Sequence, residues 1–172
     1  EVLGGDDKSI REKILDLIED GIIGAVDAGC PEKEPIDKWD LPAVREQMKQ
    51  LYGVDFDPAK VSHLAKPTLE EAAFTAVEKA YLTKEQEATE QVMRQVERVI
   101  YLQSIDQHWK DHLQQIDHLK EGIHLRGYAQ KDPKQEYKKE AYNLFVDMMA
   151  RMQADVLDKV FHVTITREGE SE

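Results

Sequence analysis

Apolar residues recur at steps of three and four along most of the chain, the spacing that keeps one side of an α-helix dry. Near the start, Ile10, Ile14, Leu17, Ile18 and Val26 fall on one such face and predict a helix over residues 10–28. Ser9-Ile10-Arg11-Glu12 reads as a capping box, so a helix starts or restarts there. Gly29 followed by Cys30-Pro31 ends it, because proline has no N–H to give and clashes with the preceding turn. The next stretch, PEKEPIDKWDLP, carries Pro31, Pro35 and Pro42 and reads as a connecting loop anchored by Trp39.

From Leu41 the pattern shortens. Asp40 is placed to cap a helix that carries Val44, Met48 and Leu51 as far as Gly53, and Asp57-Pro58 opens a brief one ending near Leu64. Thr68-Leu69-Glu70-Glu71 is a further capping box, predicting a helix start there and a face made of Ala72, Phe74, Ala76, Val77 and Tyr81. Thr83-Lys84-Glu85-Gln86 repeats the capping signature and leaves two readings open, an element boundary or a wet helix surface. Residues 31–85 thus read as a small helical lobe.

Two long stripes follow. Val92, Val96, Val99, Leu102, Ile105, Trp109, Leu113, Ile116, Leu119 and Ile123 predict one continuous dry seam. Ala141, Leu144, Met148, Met152, Val156 and Val160 predict a second. Asp132 suits an N-cap, Pro133 the first helical position and Gln135 a box-like partner, so the second helix should begin at Pro133. Gly127 can take the positive φ that ends the first, leaving a turn of roughly ten residues where about 2–8 are usual. Each arm would extend about 40 Å at about 1.5 Å per residue. Downstream, Phe161-His162-Val163-Thr164-Ile165-Thr166 alternates and is β-branched, which predicts a strand whose pairing partner lies elsewhere, or a segment disordered by itself.

Charge alters this picture at one place. The 172 residues sum to −12, which disfavours nucleic acid as a partner. Residues 120–139, however, hold Lys120, Arg126, Lys131, Lys134, Lys138 and Lys139 against Glu121, Asp132 and Glu136, a basic turn in an acidic chain. Screening over about 8 Å confines its attraction to close approach. One cysteine allows no internal disulfide, in keeping with a reducing compartment. There is no run of about 18 apolar residues, and the opening EVLGGDDKSI has neither an initiator methionine nor a signal pattern, as expected of a piece of a longer protein.

Chemistry-bearing groups are few. His108 and His112 lie one helical turn apart, with Asp111 between them and His118 beyond, but without an HExxH motif they read as solvated histidines around Trp109 rather than as metal ligands. Trp109 with Met148, Met149 and Met152 reads as packing between the two arms, a methionine-lined peptide groove being the lesser option. Cys30 has no histidine nearby in sequence to activate it. No GxxxxGK[ST] phosphate loop occurs, so these residues offer nothing to hold ATP.

Two strings carry a resemblance. LQSIDQHWKDHLQQIDHLKEGIHLRGYAQKDPKQEYKKEAYNLF is similar to the C-terminal helical region of the SecA family, the bacterial preprotein translocase motors, and WDLPAVREQMKQLYGVD resembles that family's helical wing. The resemblance implies an all-α fold. Residues 1–29 would end a long scaffold helix, 30–85 would form the small wing lobe, 86–163 the remaining scaffold and a long antiparallel hairpin (the two-helix finger), and 164–172 an extended or disordered tail. It further implies a non-catalytic module that couples ATP-driven motion to preprotein movement through the SecYEG channel. Ile123, Arg126, Gly127, Tyr128, Ala129, Gln130 and Lys131 would form the contacting fingertip, with the Tyr128 ring against the moving chain. ATP and Mg belong to the parent's motor domains. No cofactor or metal is expected in these residues, which have no counterpart of the family's cysteine-rich zinc tail. The implied partners are SecYEG, secretory preproteins, the motor domains of the same chain and a possible second copy, and the implied location is the cytoplasmic face of the inner membrane. An autonomous helical adaptor that binds partner helices is the alternative.

Overall fold

The computed structural model of the protein describes residues 7–126 and 132–166. Five α-helices account for most of them: α1 (Asp7–Gly29), α2 (Leu41–Tyr52), α3 (Lys66–Ala88), α4 (Glu90–Arg126) and α5 (Pro133–His162). Short 3-10 turns at Ile36–Lys38 and Pro58–Lys60 interrupt the connections. Among the described residues there is no strand, so the fold is all-α. The chain divides into two compact units, Glu1–Ile100 with Leu157–Glu172, and Tyr101–Val156.

The first unit has a dry core. All five residues of the α1 stripe are buried, together with Ile22 and Ala25, and α1 packs against both α2 and α3. From α2 come Val44, Met48 and Tyr52; from α3, Leu69, Ala73, Val77 and Tyr81; from the α4 start, Met93; from the α5 end, Leu157 and Val160. Each fully buried aliphatic side chain here contributes about 1.5–3 kcal/mol by leaving water. Tyr52 donates its hydroxyl to the Ile18 carbonyl at 3.0 Å, so its polar tip is satisfied inside the core. Burial pushes the Tyr52 phenol well above its ordinary range, keeping it a neutral donor. Phe161 packs edge-on to Tyr52, ring centroids 5.1 Å apart, and also lies against Tyr81. The close approach of α1 and α2 requires Gly21, since a Cβ there would run into the Tyr52 hydroxyl.

Local signals placed several boundaries. Asp40 accepts from the Ala43 N–H at 3.0 Å and caps α2, which stops at Gly53 with φ of 66°. Asp57 accepts from Ala59 N–H and starts a turn shorter than expected, ending at Lys60. The helix over 10–28 runs from Asp7 to Gly29, so Ser9 lies inside α1 and is no cap. Likewise α3 begins at Lys66, ahead of the box expected at Thr68. Pro67 fits the first turn there, and Thr68 Oγ1 accepts from the Ala65 N–H and donates to the His63 carbonyl. At Thr83 the helix continues, with the hydroxyl donating back to the Lys79 carbonyl, which settles that segment as helix surface. Trp39 is half-buried and donates its indole N–H to the Glu34 carbonyl within the loop.

The strand expected over 161–166 does not form. Phe161 and His162 finish α5, held by the burial of Val160 and the packing of Phe161 against Tyr52 and Tyr81, which outweigh the β preference of the segment. Val163–Thr166 follow as neither helix nor strand, with Val163 N–H still donating to the Lys159 carbonyl, and Val163 and Ile165 line an open groove of about 570 Å³ with Tyr52, Gly53 and Lys84. Lys84 donates to the Phe161 carbonyl at 3.0 Å, and burial lowers its pKa.

The second unit pairs α4 with α5 antiparallel: Ser104 meets Asp155 near one end, and His112 meets Phe145 further along. On α5 the expected seam holds, with Met148, Met152 and Val156 buried. On α4 it does not. Val99, Leu102, Trp109 and Leu113 are 38–53% exposed, and of the ten stripe residues only Leu119 and Ile123 are buried. In this unit α4 instead turns Ser104 and His112 inward, while its start turns Met93, Glu97 and Ile100 into the first unit. Ser104 donates to Asp155 and Glu97 accepts from Tyr81, so polarity did not keep these out, while His112 Nδ1 is buried without a hydrogen-bond partner.

Candidate functional site

The turn between α4 and α5 is the site to which the sequence points. Its entry is built by the last turn of α4, where Ile123 is buried while Leu125, two positions on, is 74% exposed. Arg126 ends α4. The Arg126 side chain and Gly127, Tyr128, Ala129, Gln130 and Lys131 lie outside the described residues. The exit is an ordinary helix start: the Asp132 carboxylate accepts from the Lys134 N–H at 3.0 Å, its carbonyl accepts from Glu136 N–H, and Pro133 takes the first helical position. With α4 reaching Arg126 and α5 starting at Pro133, only residues 127–132 separate the helices, within the usual span of about 2–8 rather than the long turn expected. Loop length therefore gives no separate argument for function.

What remains is the chemistry of the surroundings. Lys120, Lys134, Lys138 and Lys139 are exposed, so the basic character of this end faces solvent. Ile123 is buried in the last turn of α4, whereas Leu125 presents an apolar side chain to solvent there. Sequence reasoning passed over Leu125, although the stripe that ends at Ile123 gives it no core position and that was the signal.

Behind the turn, the helix pair is held by a mixed seam. Ser104 donates to Asp155 Oδ2 at 2.8 Å, and His108 Nε2 lies 3.3 Å from the same oxygen. The His112 ring lies between Trp109, at 5.4 Å, and Phe145, at 5.9 Å. Thus His108 and His112 engage separate neighbours, and His118 is exposed. Among the described residues no group of three or more histidine, cysteine or acidic side chains is arranged to hold a metal ion. Trp109, expected between the arms with the methionines, stands half in solvent, while Met148 and Met152 are buried. Cys30 is buried in the first unit, and burial pushes its thiol up, away from nucleophile chemistry. No described helix is long and apolar enough to cross a membrane.

An all-helical chain, whose two longest helices pair antiparallel around a basic turn, matches the SecA Wing and Scaffold domain over residues 1–164, and it belongs to that family. The similarity to individual members is of the same kind. The chain is 43% identical over 174 residues to the protein translocase subunit SecA of Geotalea uraniireducens (strain Rf4), taking in all of this chain and 19% of that protein. It is 42% identical over 170 residues to that of Anaeromyxobacter sp. (strain Fw109-5), 94% of this chain and 18% of the relative. With the subunit of Sorangium cellulosum (strain So ce56) the identity is 42% over 164 residues, 94% and 16% respectively. The chain therefore spans less than a fifth of the length of these relatives.

Proposed function

We propose that this chain is the wing and scaffold portion of a protein-translocating SecA motor, and that its α4–α5 turn works by contact with the moving preprotein or with the SecYEG channel. The observation that carries this reading is the string IHLRGYAQKDPKQEYK, which lies across the turn of an antiparallel helix pair in a chain of the SecA wing and scaffold family. In this reading residues 1–29 end the scaffold helix, 30–85 form the wing, and 86–163 complete the scaffold and finger. ATP and Mg bind to motor domains of the same polypeptide, and the present residues supply no catalytic group. The parent works at the cytoplasmic face of the inner membrane. An aromatic ring at Tyr128 suits the task because it gives flat apolar contact to many side chains without demanding one sequence. Exposed Leu125 and the lysines around the turn add apolar and cationic contacts beside it.

The test uses a full-length SecA that carries this segment. Tyr128→Ala should lower preprotein translocation about tenfold, equivalent to about 1.4 kcal/mol at the contacting step, with nucleotide turnover in the absence of preprotein unchanged. Unchanged translocation would remove the ring from the mechanism.

The exposed face of Trp109, Leu113 and Phe145 favours a second reading, a helical adaptor that binds a partner helix. That reading requires the chain to capture a helical partner without motor domains. The turn-contact reading requires those domains.

A further inference from the structure

Residues 84–94, KEQEATEQVMR, contain neither glycine nor proline, and by propensity alone they continue a helix. The helix nevertheless breaks at one residue. α3 ends at Ala88, α4 starts at Glu90, and Thr89 between them has φ of 79° and ψ of 148°. For a β-branched residue this is a strained backbone, in a region that glycine occupies freely. Thr89 partly compensates by capping α4: its carbonyl accepts from the Met93 N–H at 3.0 Å and its hydroxyl from the Val92 N–H at 3.4 Å.

The break folds the chain back on itself. In one continuous helix the Cα atoms of Tyr81 and Glu97 would stand about 24 Å apart. Here the Tyr81 hydroxyl donates to Glu97 Oε1 at 2.5 Å. Beside this contact, Arg94 pairs with Glu85 across the break, and its guanidinium carbon lies 5.7 Å from the centroid of the Tyr81 ring. Arg94 and Glu97 are both buried. Their satisfaction is incomplete: Arg94 Nε is 3.3 Å from Glu97 Oε2 but misaligned, and Arg94 Nε, Arg94 Nη1 and Glu97 Oε2 have no hydrogen-bond partner. A strained residue and a half-satisfied buried ionic cluster thus occur together at one joint, and both penalties end if Thr89 takes helical φ and ψ.

We propose that Thr89 is a two-state joint. In the bent state the Tyr81–Glu85–Arg94–Glu97 cluster is closed and Thr89 is strained. In the straight state the cluster opens, Thr89 becomes helical, and residues 66–126 form a single helix. The joint is a property of this chain's own residues and stands apart from the role of the α4–α5 turn.

Spin labels at Lys79→Cys and Gln95→Cys, both exposed positions, in a Cys30→Ala background of the 172-residue chain report the state by their separation. The parent should give mainly a short distance. Arg94→Gln, which opens the cluster, should add a second population near the roughly 24 Å of a continuous helix. Adding Thr89→Gly should remove that population, because glycine holds positive φ without strain and disfavours the straight helix. Thr89→Ala leaves the cluster intact and favours helix, so it carries the test if the Arg94 variant unfolds. A short distance alone in every folded variant, Thr89→Ala included, overturns the proposal.

Discussion

The two compact units bury different kinds of side chain. In the first, the apolar stripe of α1 and the buried face coincide, and Ile14, Ile18 and Val26 are wholly enclosed. In the second, the α4 stripe and the buried face part company: Trp109 and Leu113 stand out while Ser104 and His112 turn in. Hydrophobic periodicity identifies a helix in both cases, but it identifies the inner face only where no polar residue has a partner waiting inside. Asp155 supplies such a partner to Ser104 and His108 on the second unit. Apolar side chains left outside cost little there beyond what water already exacts, whereas an enclosed aliphatic residue removed from the first unit leaves a cavity.

That contrast is broken most readily by truncation. Ile18→Ala should lose about 2–5 kcal/mol of stability in urea denaturation, and Trp109→Ala less than about 1 kcal/mol. Equal losses would show that Trp109 is as much a core residue as Ile18. Overpacking is the next largest effect. Gly21→Ala places a methyl against the Tyr52 hydroxyl and should cost about 1–3 kcal/mol, and combining it with Tyr52→Phe should recover part of that loss. A smaller change, of opposite sign, is expected at the strained joint: Thr89→Gly should raise stability by about 1 kcal/mol, since relief of positive φ exceeds the entropy lost with glycine.

The smallest effect is read from pH. Burial raises the Glu97 carboxyl pKa, despite the opposing Tyr81 hydrogen bond and Arg94 charge. A carboxyl with a raised folded pKa favours folding when protonated. Its contribution is therefore fully present below the unfolded value of about 4.3 and is lost as pH rises through the folded value. Relative to Glu97→Gln, the parent should gain stability as pH falls through that window. Parallel pH profiles for the two proteins would show that Glu97 titrates as it does in the unfolded chain.

Legibility in the sequence followed the same division. The faces of α1 and α5, the Asp40 cap, the Gly53 stop and the Pro133 start were readable because each rests on local spacing or on a residue with one strong backbone preference. The inner face of α4 was not, because it depends on Asp155 and Tyr81, which the chain brings in from 51 and 16 residues away. The break at Thr89 was invisible for the same reason: nothing in KEQEATEQVMR stops a helix, and the cluster that turns it is tertiary. Helix also extended over Phe161 and His162 against their β-branched surroundings. At the candidate site, the cap at Asp132 and the basic charge were legible, the run of α4 on to Arg126 was not, since a longer turn was expected, and exposure of Leu125 was legible but unused.

The contact role of the turn is tested most directly by a photo-crosslinker replacing Tyr128 in full-length SecA, with one replacing exposed Lys49 on α2 as control, during preprotein translocation. The Tyr128 probe should join to preprotein or channel far more often than the Lys49 probe. Equal, background-level capture from both positions would contradict the account.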